Sequence, residues 1–114
     1  MKLMIVDDNP QMCLLLKQLL HDLAETIVEC SDGEHAVAVF AVEQPDWTVM
    51  DLRMARLGGI EATRRIRAEW PAARILIVTE YDDPHWRAAA LRAGARGYLL
   101  KDDLLEVRRR LQSH

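Results

Sequence analysis

The chain has 114 residues, of which 50% are hydrophobic and 29% are charged, as is typical of a single soluble globular domain. The net charge of -3 argues against non-specific binding to nucleic acid. The sequence shows no signal peptide and no apolar run of membrane-spanning length, so we expect a cytoplasmic protein with no membrane partner.

Apolar runs and amphipathic stretches alternate along the chain. The first run, from Lys2 to Val6, is rich in branched residues and predicts a buried strand. Asn9 is a favourable N-cap and Pro10 suits the first helical position, and the leucine spacing that follows predicts a helix as far as Leu23. Thr26 to Cys30 is then predicted to be a short second strand.

The segment GEHAVAVFAVEQPD, residues 33–46, is ambiguous because its Ala-Val-Ala-Val run is compatible with a strand. Three features favour a helix. Ser31 or Asp32 can cap it, Ala36 and Phe40 share a face, and Pro45 would stop it.

The rest of the pattern predicts three strands and three helices in alternation. They are a strand from Asp46 to Asp51, a helix from Ile60 to Trp70, a strand from Ala73 to Thr79, a helix from Asp83 to Gly94, a strand over 95–101 and a final helix through Leu104, Val107 and Leu111. Such alternation indicates an α/β fold with a mostly parallel sheet covered on both faces. Ligands of these sheets bind beyond the carboxyl ends of the strands.

Polar side chains stand at the ends of four predicted strands. Asp7 and Asp8 follow the first strand, Asp51 ends the third, Thr79 ends the fourth and Lys101 ends the fifth. One acid after a strand is more often a turn former or a helix cap. Three converging acids without a cation, however, would repel and raise one another's pKa. Because an open carboxylate site suits Mg²⁺, we expect this cofactor at the aspartates.

A carboxylate beside Mg²⁺, with a lysine and a hydroxyl in reach, has the parts needed for phosphoryl transfer. The carboxylate attacks phosphorus while the metal and the lysine neutralise the phosphoryl oxygens. Asp51 is the expected nucleophile because the third strand is central.

Four motifs occur in the order that one family has them. They are VDDN at 6–9, MDLRMARLGGIEATRRIR at 50–67, ILIVTEYDD at 75–83 and GARGYLLKDD at 94–103. Over its whole length the chain resembles a response-regulator receiver domain of two-component signalling. The LLKDD ending, without proline after Lys101, is most similar to the LuxR-type subfamily, whose members carry helix-turn-helix output domains. The resemblance implies a doubly wound, flavodoxin-like, five-stranded parallel sheet with strand order 2-1-3-4-5. It also implies one receiver domain over 1–114, its output domain absent or removed.

Carried over residue by residue, the resemblance makes Asp51 the phosphoryl acceptor from a sensor histidine kinase. Asp8 would ligate Mg²⁺ directly, Asp7 would do so largely through water, and the main-chain carbonyl of Arg53 would be a further ligand. Such a protein assists its own phosphorylation and dephosphorylation and is not an enzyme in the ordinary sense.

The resemblance also implies a switch and an output. Thr79 and Lys101 would bind the phosphoryl oxygens, and Tyr98 would turn inward as Thr79 moves toward the phosphoryl group. The face formed by the fourth helix, the fifth strand and the fifth helix would then change and support a homodimer. Transcription would be regulated through DNA contacts that only an output domain makes.

Three residues depart from the family pattern, and two other functions stay open. Ala55 replaces a usual proline, Gly58 replaces a common acid or asparagine, and Glu80 replaces a small residue beside the phosphoryl pocket. A phosphohydrolase of the haloacid dehalogenase type would need an acid two residues after Asp51, where Arg53 stands. A phosphorylation-independent interaction module would keep the fold and use Glu80 as a fixed surface charge.

Overall fold

Strands and helices alternate in the computed structural model as the sequence predicts. The model describes residues 1–113, so of the predicted 1–114 domain only His114 lies outside the described residues. The bounds are β1 Lys2–Val6, α1 Pro10–Leu20, β2 Thr26–Cys30, α2 Gly33–Glu43, β3 Trp47–Met50, α3 Gly59–Glu69, β4 Ile75–Thr79, α4 Pro84–Ala93, β5 Gly97–Leu100 and α5 Leu104–Gln112. A short 3-10 turn, His21–Leu23, continues α1 toward Leu23.

All five strands form one sheet in the order β2-β1-β3-β4-β5, and every neighbouring pair is parallel. This confirms the predicted doubly wound topology. Because the strands are parallel, their carboxyl ends share one edge of the sheet. The strand order reverses between β1 and β3, which makes this pair the switch point of the fold. The residues that follow β1, β3, β4 and β5 therefore meet at this edge.

Side-chain caps explain where three of the helices begin. Asn9 accepts hydrogen bonds from the main-chain N–H groups of the first turn of α1, and Asp83 does the same for α4. Asp32 accepts one from His35 N at 2.7 Å, which resolves the ambiguous segment as α2. Each cap satisfies N–H groups that have no partner within the helix.

The sheet is covered on both faces, which is why β3 and β4 are buried at every position. One core, which includes Phe40 and Ile66, lies under α2, α3 and α4. The other, which includes Leu16 and Leu111, lies under α1 and α5. Among residues 1–113, no helix has both the length and the apolar character needed to cross a bilayer.

Candidate functional site

Three carboxylates converge at the carboxyl edge of the sheet. Val6 and Met50 are paired in register between β1 and β3, so the residues that follow them lie side by side. One carboxylate oxygen from each of Asp7, Asp8 and Asp51 lies within 4.8 Å of the others. Asp7 and Asp51 are buried, whereas Asp8 is exposed and leaves the cluster open to solvent.

Main-chain hydrogen bonds hold the two buried aspartates in place. Asp51 N donates to Val6 O at 2.8 Å, which extends the pairing of β1 with β3 by one residue. Asn9 N donates to Asp7 Oδ1, and Leu52 N donates to Asp51 Oδ1, each at 2.9 Å. Within residues 1–113, Asp51 Oδ2 accepts no hydrogen bond, so this oxygen is free to react or to bind a cation.

Among the described residues, Lys101 is the only one that places an ammonium group in this cluster. Its Nζ lies 3.0 Å from Asp7 Oδ2 and 3.3 Å from Asp51 Oδ1, and its side chain is only 16% exposed. Lys101 N donates to Thr79 O at 2.8 Å, which fixes the start of the side chain beside β4. One ammonium cannot neutralise three carboxylates, so the cluster retains negative charge.

The pKa values reflect this crowding. Burial, followed by the negative charge of Asp7, raises the pKa of Asp51 to about 6, although Lys101 acts in the opposite direction. Burial by itself would lower the pKa of Lys101, but its hydrogen bond to Asp7 and the charge of Asp51 outweigh it, and that pKa is raised. Lys101 therefore stays protonated. An added cation would relieve the repulsion that acts on Asp51.

The donor set fits a hard divalent ion. Carboxylate oxygens are the ligands that Mg²⁺ prefers, and an open site lets it keep several water molecules. Asp8 is exposed and supplies the open side, and no donor within residues 1–113 bonds to Asp51 Oδ2. Arg53 lies two residues after Asp51 in the loop between β3 and α3.

Two glycines allow that loop to pack closely. A Cβ on Gly59 would lie 2.1 Å from the carbonyl oxygen of Asp51, and one on Gly33 would lie 2.2 Å from that of Leu57. Both distances are far below any real contact of a Cβ atom. Gly33 N instead donates to Leu57 O at 3.1 Å. Glycine at position 59 is therefore required for steric reasons.

Arg53 and Tyr81, which lie two residues after Asp51 and Thr79, contact each other. The guanidinium carbon of Arg53 lies 5.5 Å from the ring centroid of Tyr81, and both side chains are exposed. This cation–π contact joins the loop after β3 to the loop after β4. The sequence contains no signal for this contact, because the two residues belong to different loops.

Thr79 and Tyr98 are both buried and are connected through Tyr81. Thr79 Oγ1 accepts a hydrogen bond from Tyr81 N at 3.2 Å, and the Tyr98 hydroxyl donates to Tyr81 O. Tyr98 is only 2% exposed, so its ring has the inward orientation. Burial and the nearby charge of Asp83 raise its pKa, and it therefore stays a neutral donor.

Sequence reasoning missed Arg87 on α4. Its guanidinium carbon lies 5.0 Å from the ring centroid of Tyr98, and its Nη1 donates to Tyr98 O at 3.0 Å. Arg87 thereby holds α4 against β5 on the outer side of the tyrosine ring. No motif marks it, because an arginine on an exposed helix face is usually solvated.

Comparisons with known proteins agree with this geometry. The family model described as response regulator receiver domain matches residues 3–112. The nitrate/nitrite response regulator protein homolog of Haemophilus influenzae is 38% identical over 104 residues, covering 90% of this chain and 50% of that protein. The oxygen regulatory protein NreC of Staphylococcus carnosus is 36% identical over 105 residues, covering 90% of this chain and 48% of that protein. The chain thus spans about half the length of these curated relatives.

A solved structure is similar over nearly the whole chain. A two-component response regulator of the LuxR family from an Aurantimonas species is 35% identical, with a TM-score of 0.86, covering 96% of this chain and 84% of that one. The expected subfamily resemblance is therefore confirmed.

Proposed function

This chain belongs to the response regulator receiver domain family, and from that premise we propose that it is a phosphorylation-controlled switch whose Asp51 accepts a phosphoryl group from a sensor histidine kinase. The observation that carries the proposal is the position of Asp51. Its carboxylate is buried, has one free oxygen, and lies beside two further aspartates and the ammonium of Lys101. The protein is a signalling domain and not an ordinary enzyme.

Mg²⁺ is the cofactor in this proposal. Asp7, Asp8, Asp51 and the main-chain carbonyl of Arg53 would hold it. When bound, it would neutralise the negative charge that gathers on the phosphoryl oxygens.

The side chains of this chain supply the remaining chemistry. Asp51 Oδ2 forms the new bond to phosphorus while the N–P bond of the phosphohistidine breaks and its electron pair returns to the imidazole nitrogen. Lys101 Nζ and the Thr79 hydroxyl then donate hydrogen bonds to phosphoryl oxygens. Because Asp51, Thr79 and Lys101 are all at least partly buried, these charged interactions act with little competition from water.

The output follows from the hydrogen bonds of Tyr81. If Thr79 turns toward the phosphoryl group, Tyr81 N loses its acceptor, and the loop that also holds the Tyr98 hydroxyl can shift. The face formed by α4, β5 and α5 would change and favour a homodimer.

The setting of the whole protein is also part of this proposal. It comprises one receiver domain over 1–114, a cytoplasmic location, and transcriptional regulation through DNA contacts made by a separate output domain. One curated relative, DegU of Brevibacillus brevis, is named a transcriptional regulatory protein. The match covers 44% of that protein and 50% of the Haemophilus influenzae relative, so each is about twice as long as this chain.

Labelling by a phosphodonor tests the proposal. With Mg²⁺ and either acetyl phosphate or N-phosphoimidazole, the wild-type protein should gain one base-labile phosphoryl group per chain. Asp51→Asn should gain none, because an amide has the same shape but is not a competent nucleophile. A phosphorylation-independent module would be labelled by neither donor and would not respond to beryllofluoride. Equal labelling of Asp51→Asn would place the nucleophile elsewhere.

A further inference from the structure

Arg87 covers the solvent side of the Tyr98 ring. Tyr98 is only 2% exposed, whereas Arg87 is an exposed residue. The guanidinium carbon lies 5.0 Å from the ring centroid, and Nη1 donates a 3.0 Å hydrogen bond to Tyr98 O. Because the N–H of Arg87 donates to Asp83 O in the first turn of α4, these contacts attach the tyrosine to the start of that helix.

The shape of the surface does not by itself hold the ring inward. Tyr98 and Arg87 line a groove of about 260 Å³ between α4, β5 and α5, so there is space on the outer side of the ring. Two interactions hold it instead. The Tyr98 hydroxyl donates to Tyr81 O at the inner end, and the guanidinium of Arg87 lies over the ring. A ring that turned outward would lose both.

Only an arginine can make both of the contacts that Arg87 makes. A hydrogen bond from a charged donor is stronger than one between neutral groups, and a cation over an aromatic face adds electrostatic attraction. The planar guanidinium offers several donors in fixed directions and can stack at the same time, whereas a lysine ammonium is a compact charge. Lysine at this position would therefore keep the charge and lose part of the attachment.

We propose that Arg87 is a positioning residue that fixes Tyr98 inward before phosphorylation, so that the signal from Asp51 is transmitted as a displacement of α4 and not as a rotation of the ring. The inward turn implied by the resemblance is already complete in this structure. A movement of the Tyr81 peptide, which accepts the Tyr98 hydroxyl, would pass through the ring and Arg87 to α4. This inference rests on the proposed function, because it concerns the path from phosphorylated Asp51 to the output face.

Thermodynamic linkage makes the role of Arg87 measurable. If the activated state requires an inward ring, the apparent affinity for beryllofluoride falls in proportion to the fraction of molecules whose ring is inward. Arg87 keeps this fraction high. Its removal should therefore weaken beryllofluoride binding by the same factor by which the inward fraction falls. A residue that only stabilised the fold would not connect these two quantities.

Fluorine NMR can report the ring directly, because the chain has only two tyrosines, Tyr81 and Tyr98. Protein labelled with 3-fluorotyrosine should give two resonances, and Tyr81→Phe identifies the one from Tyr98. The change of its chemical shift between H₂O and D₂O measures the exposure of the ring to solvent. The Tyr81 resonance gives the midpoint of a beryllofluoride titration with Mg²⁺ present, since Tyr81 N is bonded to Thr79.

Three variants complete the design. Arg87→Met keeps most of the apolar stem and removes the charge and the donors, and Arg87→Lys keeps the charge alone. Arg92→Met is the matched control, because Arg92 is an exposed arginine of the same helix with no ion pair and no aromatic contact within residues 1–113. Urea unfolding verifies that each variant is folded, and Arg87→Lys, the milder change, carries the test if Arg87→Met does not fold.

In the wild type, the Tyr98 ring should be buried both with and without beryllofluoride. In Arg87→Met it should be exposed in about half of the molecules or more without beryllofluoride, and buried again when beryllofluoride binds. The midpoint should then rise by at least about twofold, in proportion to the lost inward fraction. Arg87→Lys should lie between the two proteins, and Arg92→Met should match the wild type.

Several results would overturn the inference. A ring that stays buried in Arg87→Met without beryllofluoride would show that Arg87 does not position it. A wild-type ring that is exposed at first and becomes buried with beryllofluoride would identify rotation of the ring as the signal. An exposed ring in Arg87→Met with an unchanged midpoint would limit Arg87 to packing. A wild type in which neither resonance responds to beryllofluoride would contradict the proposed function itself, while the ring in the ligand-free variants would still decide whether Arg87 positions Tyr98.

Discussion

The hydroxyl of Tyr98 donates a hydrogen bond to the main-chain carbonyl oxygen of Tyr81. The N–H of the same residue donates to Thr79 Oγ1 at 3.2 Å. The two residues expected to form the switch are thus connected through one residue of the loop after β4. A movement of the Thr79 side chain can therefore alter the hydrogen bond of Tyr98 through the main chain of Tyr81, without a rearrangement of the rest of the core.

Tyr98→Phe removes this hydrogen bond and keeps the buried ring. The free energy of unfolding should fall by about 1 kcal/mol, which is the usual value of one such bond. We also expect a smaller change at α4 on addition of beryllofluoride, measured by the exposure of Trp86 in fluorescence quenching. Thr79→Val should reduce the same response, and in the double variant the two losses should not add. Full additivity would show that the two residues act independently.

The raised pKa of Asp51 predicts how stability depends on pH in the absence of metal. In the unfolded chain this carboxyl has its ordinary pKa near 3.8, and folding raises the value to about 6. The folded state therefore binds the proton more tightly, and the stability of the fold falls as pH rises from about 4 to about 6. A shift of about two pKa units corresponds to a penalty of at most about 3 kcal/mol at neutral pH.

Asp51→Asn should remove this penalty. Urea unfolding in the presence of a chelator should show that the variant is more stable than the wild type by about 1–3 kcal/mol at neutral pH. Loss of the attraction between Asp51 and Lys101 offsets part of this gain. The difference should vanish well below pH 3.8, where Asp51 is protonated in the folded and the unfolded state alike. A gain in stability that persists unchanged at acid pH would contradict the assigned cause. Glu69→Gln is a control for the loss of a single negative charge.

Asp8→Ala should weaken Mg²⁺ binding by at least about tenfold, because the variant loses a carboxylate that we propose binds the ion directly. Calorimetric titration is a better measurement than tryptophan fluorescence, because Trp47 begins β3 and lies at the opposite end of that strand from Asp51. The variant should also be at least as stable as the wild type without metal, because one member of a repelling cluster is gone. An unchanged affinity would exclude Asp8 as a ligand.

The stack of Arg53 on Tyr81 should protect the phosphorylated state. Because Arg53 lies two residues after Asp51 and Tyr81 two residues after Thr79, we expect both side chains to border the approach that a hydrolytic water molecule would take to Asp51. A cation–π contact at an exposed site contributes about 0.5–1 kcal/mol, so Arg53→Ala or Tyr81→Ala should speed loss of the phosphoryl group by about two- to fivefold. The decay of labelled protein after donor removal gives the rate. If the double variant decays as the product of the two single effects, the contact itself is not protective.

The face formed by α4, β5 and α5 should dimerise on addition of beryllofluoride. It presents Trp86, which is 43% exposed, and a groove whose walls include Arg87, Asp102 and Arg110. A surface with both charge signs can pair with a second copy of itself about a two-fold axis. Sedimentation velocity at high protein concentration should show the dimer, and Trp86→Ala should weaken it.

The control for this dimer is Val42→Ala on α2, because Val42 is 80% exposed on a helix outside the proposed interface. It should dimerise as the wild type does. If both variants behave alike, or if beryllofluoride leaves the sedimentation coefficient unchanged, the proposed interface is wrong.

The order and type of the elements could be predicted from the sequence because their signals are local. Pro10 and Asn9 define the start of α1 within a few residues, and the buried strands read as short apolar runs. The segment over 33–46 was the hardest case, since its alternation of small and branched residues also fits a strand. It was decided correctly by the capping side chain of Asp32 and the stop at Pro45, both of which act within one helical turn.

Much of the candidate site was also determined by the sequence, for a physical reason. In a parallel sheet the carboxyl ends of all strands share one edge, so Asp7, Asp51 and Thr79 had to converge once the strands were identified. The tertiary structure alone decided which groups pair. Lys101 bonds to Asp7 as well as Asp51, Arg53 contacts Tyr81, and the peptide of Tyr81 connects Thr79 with Tyr98. These contacts join loops that are distant along the chain, and they depend on side-chain rotamers and on a close approach that only glycine permits at Gly59; no local pattern of residues encodes them.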